Sequence, residues 1–214
     1  MRRPRSLIAL ALAGTLAITA CGGDDDATDL ASVRPDADRE LAGYRRDPAP
    51  VVGDLTLPDL TADGEEFALR ADPGEILAVY FGYTNCPDFC PTTLSDLRLA
   101  TRRMDPADAV RVDLAMVTVD PDRDLPVLAG YVTSFLDGAH ALGTVDAGRL
   151  ATVAAPFGAG SEITMNDDGE TDVAHSTSLY AVNDDGEIVL TWQFGVPIDD
   201  LAADLTQLLA QEST

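Results

Sequence analysis

The chain has 214 residues, 46% of them hydrophobic, and 37 Asp and Glu against 14 Lys and Arg give a formal net charge of −23. That charge excludes nucleic acid and anionic lipid surfaces as partners: both repel so acidic a chain, and no Lys/Arg cluster offsets it. Length and apolar fraction suit one domain with a sizeable core, expected to be a monomer.

At the start, Arg2, Arg3 and Arg5 precede an apolar run, residues 7–16, that is too short for a spanning helix; small residues then lead to Cys21. Residues 1–20 are read as a signal peptide. The string "ITAC" resembles a bacterial lipobox, whose cysteine is lipidated and becomes the mature N-terminus. Cys21 is therefore expected to anchor the protein on the extracytoplasmic face of the bacterial cell membrane. Residues 21–50, rich in Asp, Gly and Pro with little apolar periodicity, are expected to form a flexible acidic tether. The folded domain is expected over residues 51–214.

Within that domain, "LTLPDLTADGEEFAL" predicts two short strands around the turn at Asp63 and Gly64. The apolar run "EILAVYFGY" predicts a strand buried on both faces. Helical spacing follows from Pro91 to Arg103, with Leu94, Leu97, Leu99 and Met104 as core candidates. "VRVDLAMVTVD" predicts a second buried strand and ends in the loop "DPDRDLP"; Pro126 then starts a helix continuing over residues 127–135. Residues 145–155 are amphipathic, "HSTSLYAVNDDGEIVLTW" predicts a hairpin, and residues 198–209 a closing helix. The order βαβα then ββα, with a cysteine motif at a strand-to-helix junction, predicts a thioredoxin-like three-layer α/β/α sandwich with an N-terminal β-hairpin extension.

The motif is "CPDFC". With Cys21 assigned to the anchor, Cys86 and Cys90 are the remaining thiols, in a compartment where disulfides persist. A structural disulfide, a redox-active dithiol and half of a metal site all compete for the pair. So small a loop removes little chain entropy, which weighs against a structural staple. The end of a core strand is also where α/β folds place their sites. Pro91 suits the first helical position, which predicts Cys90 as the N-cap, its thiolate favoured by the helix dipole. Spacing alone leaves redox pair and metal site open.

The chain has two histidines. His140 falls in a loop and is assigned no role. His175 stands at the start of the predicted hairpin, where thioredoxin-like redox enzymes place a cis-proline, and no proline occurs between Pro156 and Pro197. Two thiolates and one imidazole would make a soft three-ligand set suited to Cu(I) and tolerable for Cu(II) or Zn(II).

"YTNCPDFCPTTL", "TVDPDRDLPVLAGYVTSF" and "VAHSTSLYAVNDDGEIV" together resemble, in order and spacing, the Sco/SenC family of copper-binding assembly factors, over about residues 51–209. The resemblance implies a membrane-tethered domain in which Cys86, Cys90 and His175 bind one copper ion. It implies service as a metallochaperone in assembling the dinuclear copper centre of cytochrome c oxidase subunit II. Some members act as thiol reductants of that subunit's cysteines. The alternative function is thus a thiol-disulfide oxidoreductase with Cys86 attacking and Cys90 resolving. A peroxiredoxin-like peroxidase ranks low, since Tyr83 stands where that family keeps a Thr. Asp88 fits the family pattern as a residue tuning the site's charge or shaping the turn. Leu125 departs from it, standing where Thr is commoner. Residues 158–172, rich in Asp and Gly, are expected to form a mobile, partner-facing loop.

Overall fold

The structure, a computed structural model, describes residues 39–165 and 171–212; the expected signal peptide and Cys21 lie outside them. The predicted N-terminal hairpin forms as β1 (Thr56–Asp59) and β2 (Glu65–Ala68), with Asp63 and Gly64 both at positive φ in its turn. Strand β3 (Ile76–Gly82) is buried at all seven positions. Helix α1 (Phe89–Thr101) and the short α2 (Pro106–Ala109) lead to β4 (Val112–Thr118). Two short helices, α3 (Pro121–Asp124) and α4 (Leu128–Thr133), precede β5 (His140–Leu142). Helix α5 (Ala147–Phe157) ends at Gly158 in the left-handed conformation. An outlying ribbon of β6 (Ser161–Met165) and β7 (Thr171–His175) then precedes β8 (Leu179–Val182), β9 (Ile188–Trp192) and α6 (Ile198–Glu212).

The main sheet runs β2-β1-β5-β4-β3-β8-β9, with β3, β4 and β5 parallel and β8 antiparallel to β3. Alternation along β3 builds two cores. Ile76, Ala78 and Tyr80 face one side with α1, α4 and α6; Leu77, Val79 and Phe81 face the other with α5. This is the expected thioredoxin-like three-layer arrangement.

Four expectations need correction. Leu99 is exposed, because the buried stripe of α1 runs through Cys90, Thr93, Leu94, Leu97 and Ala100, and Leu99 falls off it. Pro126 does not start a helix: Pro121 opens α3, and α4 is shorter than the predicted 127–135. His175 ends β7 of the separate ribbon rather than opening β8, and the ribbon occupies much of the predicted loop 158–172. Finally, residues 39–52 are fastened to the domain rather than belonging to a free tether. Tyr44 exchanges backbone hydrogen bonds with Thr191 (2.9 and 3.0 Å), and Val52 N–H donates to Gly186 O (2.8 Å), so this strap covers the open edge of β9.

Two buried carboxylates hold irregular chain in place. Asp59 accepts from the Thr61 hydroxyl (2.7 Å), Thr61 N–H and Ala141 N–H and pairs with His140 Nδ1 (2.6 Å), linking the hairpin to β5. Burial opposes ionisation of Asp59, but the bonds from Thr61, His140 and Ala141 outweigh it and hold the carboxyl below the usual carboxylate range. His140, assigned no role from sequence, is thus a structural link, and its ring lies 4.0 Å from that of Phe67, centroid to centroid.

Asp204 of α6 is fully buried and accepts from Trp192 Nε1 (2.9 Å), the backbone N–H groups of Ala42 (3.0 Å) and Gly43 (2.9 Å), and Arg39 Nη2 (2.8 Å). Gly43 is required there, since a Cβ would lie 2.7 Å from Leu190 Cγ. Asp204→Ala strands these donors in the interior, at a cost of about 3–5 kcal/mol. Thermal denaturation is expected to show a fall in Tm on the order of 10 °C; a fall of only a degree or two would show that the strap is not held by this carboxylate.

Candidate metal centre

The site begins where β3 ends. Gly82 leads into the loop Tyr83–Asp88, and α1 starts at Phe89 with Asp88 as N-cap. Cys90 is thus the second helical residue rather than the cap. Pro91 is the third, a position whose N–H has no intrahelical partner, so proline is tolerated without marking the helix start. Exposed Asp88 makes no side-chain capping bond.

This shift exchanges the expected roles of the two sulfurs. The free first-turn N–H of Cys90 donates to Cys86 Sγ (3.3 Å), so Cys86 receives the helix N-terminus. Cys90 instead points into the core and is fully buried. Burial, with the Cys86 sulfur adding to it, pushes the Cys90 thiol up to about 12 despite a backbone hydrogen bond from Tyr83. The expected dipole-favoured thiolate at Cys90 is therefore overturned: without a cation beside it, Cys90 is a neutral thiol. Both cysteines are free.

Strand β7 delivers His175 to the pair. Its Nδ1 lies 3.0 Å from Phe81 O and 2.8 Å from Ser176 O. Carbonyls only accept, so Nδ1 carries a proton, and in the neutral ring the lone pair is on Nε2. That Nε2 is 3.6 Å from Cys90 Sγ and 4.0 Å from Cys86 Sγ. The three donor atoms lie within 4.8 Å of one another, close enough for one metal ion to be shared among them. Tyr80 and Tyr83 meet the imidazole edge-on, at centroid distances of 6.2 and 5.5 Å.

A third buried carboxylate sets the loop. Asp124, fully buried at the end of α3, accepts from Thr84 N–H (3.1 Å), Thr84 Oγ1 (2.5 Å) and Thr118 Oγ1 (2.6 Å). It ties the residue two before Cys86 to the end of β4. The loop "DPDRDLP" therefore shapes the rim of the cysteine loop, through a carboxylate that carries no distinguishing signal in the sequence. Asp120 binds Arg123, which stands beside Tyr83 and Asn85 in a shallow groove next to the cysteines.

The sequence profile described as SCO1/SenC matches residues 45–210. The chain belongs to the SCO1/SenC family. This SCO1/SenC chain is 36% identical over 142 residues to the mitochondrial SCO2 homolog of Danio rerio, covering 63% of this chain and 48% of that protein. It thus spans about half the length of that relative. Among solved structures, it is similar to Bradyrhizobium japonicum ScoI with copper bound, at 28% identity and a TM-score of 0.61, covering 72% of this chain and 97% of the other. Arabidopsis thaliana ScoI with copper bound superimposes with a TM-score of 0.64 at 25% identity, covering 75% and 98%.

Asp124→Ala releases Thr84 and loosens the loop, a loss of about 1–3 kcal/mol from its hydrogen bonds. Because Cys86 is only 6% exposed, alkylation requires the loop to open. Iodoacetamide is expected to label Cys86 about 10-fold faster in the variant than in the parent. Equal rates would mean that Asp124 does not hold the cysteine loop.

Proposed function

We propose that the protein is a copper chaperone that carries one copper ion on Cys86 Sγ, Cys90 Sγ and His175 Nε2. The observation that carries this reading is the convergence of the three donors, with the imidazole tautomer already set by Phe81 O and Ser176 O. Two sulfurs and one imidazole form a soft, low-coordinate set that suits Cu(I). The family membership and the copper-bound ScoI structures support the same metal.

Copper is cargo in this reading. Displacement of the Cys90 proton couples loading to proton release, so retention weakens as pH falls. Cys86 is the less buried of the two cysteines, so when the loop opens its sulfur is the one an incoming thiolate reaches first, which allows handover by ligand exchange. Loss of two electrons and two protons to an external disulfide would join Cys86 and Cys90 and remove two ligands, making the thiol state a gate on loading. The acceptor we propose is cytochrome c oxidase subunit II, whose dinuclear copper centre needs such delivery. Lipidated Cys21 would hold the chaperone on the extracytoplasmic membrane face beside it.

Titrating the reduced protein with Cu(I) against a chromophoric chelator tests the reading. One equivalent is expected to bind, and Cys86→Ser and His175→Ala should each weaken retention more than about 100-fold, beyond the 10–100-fold cost of losing an outer partner. Undiminished stoichiometric binding in both variants would overturn the assignment. No retention by the parent would favour a thiol-disulfide oxidoreductase, with His175 a bystander.

A further inference from the structure

A group that the ligand set does not use reaches it from inside the core. Tyr80 is fully buried in β3, opposite Met116 of β4 and Leu179 of β8. Its hydroxyl donates toward Cys90 Sγ at 3.6 Å, within hydrogen-bond reach for an atom as large as sulfur. The contact exists because the next residue on that face of the strand is glycine. A Cβ at Gly82 would lie 2.7 Å from Tyr80 Cε1 and 2.8 Å from Cys90 Sγ. The missing side chain makes the space in which phenol and sulfur meet. The same ring presents itself edge-on to His175.

We infer that the Tyr80 hydroxyl tunes the metal site, donating a hydrogen bond to the Cys90 sulfur in the loaded protein and thereby setting the preference for Cu(I) over Cu(II). The inference rests on the copper reading above. A metal-bound Cys90 has lost its proton and can only accept, so the phenol is the donor of the pair. Hydrogen bonding at a ligating sulfur withdraws charge from it, lowers its donation to the metal and raises the metal's reduction potential. Because the phenol is held by packing on a central strand, it keeps its position whichever oxidation state is bound.

Tyr80→Phe removes the donor and keeps the ring. In the copper(II)-loaded variant the sulfur-to-copper charge-transfer band is expected to move to longer wavelength. The ratio of Cu(I) to Cu(II) affinity should fall roughly 10-fold, which is about 59 mV in a one-electron potential. Tyr131→Phe is the control: its hydroxyl is also buried but has no hydrogen-bond partner among the described residues, so its band should match the parent. Placing 3-fluorotyrosine at position 80, a more acidic donor of nearly the same shape, should shift the band the opposite way and covers the case in which Tyr80→Phe folds poorly. A Tyr80→Phe band and affinity ratio identical to the parent, or an equal shift in Tyr131→Phe, would overturn the inference. A parent that binds no copper would instead overturn the copper reading, and the inference with it.

Discussion

The hydrogen bond from His175 Nδ1 to the Phe81 carbonyl is the contact on which the arrangement of the site depends. It joins a two-stranded ribbon outside the main sheet to the end of the strand that feeds the cysteine loop. It also decides which ring nitrogen is free. Strand β3 is buried on both faces, so the Phe81 carbonyl cannot shift without disturbing both cores. The neighbouring residues add to the same device: Tyr80 brings a hydroxyl to one sulfur, and Gly82 leaves room for it. Three consecutive residues of a core strand thus orient a histidine, admit a cysteine and supply a hydrogen-bond donor.

Around that rigid end, irregular segments are held by buried carboxylates. Asp59, Asp124 and Asp204 are at most 2% exposed, whereas most acidic side chains among the described residues face water. Each accepts from at least one backbone N–H group and at least one side chain, which satisfies donors that loops would otherwise leave unpaired. Asp59 secures the hairpin to β5, Asp124 the cysteine loop to β4, and Asp204 the N-terminal strap to β9 and α6. Only the middle one touches the metal centre's own loop. Of the other two, Asp204 holds the strap that covers the β9 edge, and Asp59 joins β1 to β5 within the sheet.

The sequence was most legible where burial and spacing coincide. The two buried strands, the hairpin and the closing helix follow from apolar runs and Asp-Gly turns, and the three donors are the cysteine pair that follows a core strand and the histidine that stands before β8. The rest was hidden for identifiable reasons. A buried carboxylate reads in sequence like any solvated one, so Asp124 and Asp204 carried no signal. The strap looks like a tether because its hydrogen bonds use backbone groups and its key position is a glycine. Pro91 fits any place in the first turn, so it misplaced the helix start by two residues and assigned the dipole to the wrong sulfur. The contact between Tyr80 and Cys90 crosses from strand to helix, and periodicity along one element cannot reveal it.

The central claim is that two sulfurs and one nitrogen from a single chain hold the ion. Copper K-edge X-ray absorption on the protein loaded with one equivalent of Cu(I), with its molecular mass in solution measured alongside, tests it most directly. Two sulfur scatterers and one imidazole nitrogen in a monomer are the predicted result. A sulfur-only shell, or copper held between two chains, would contradict the account.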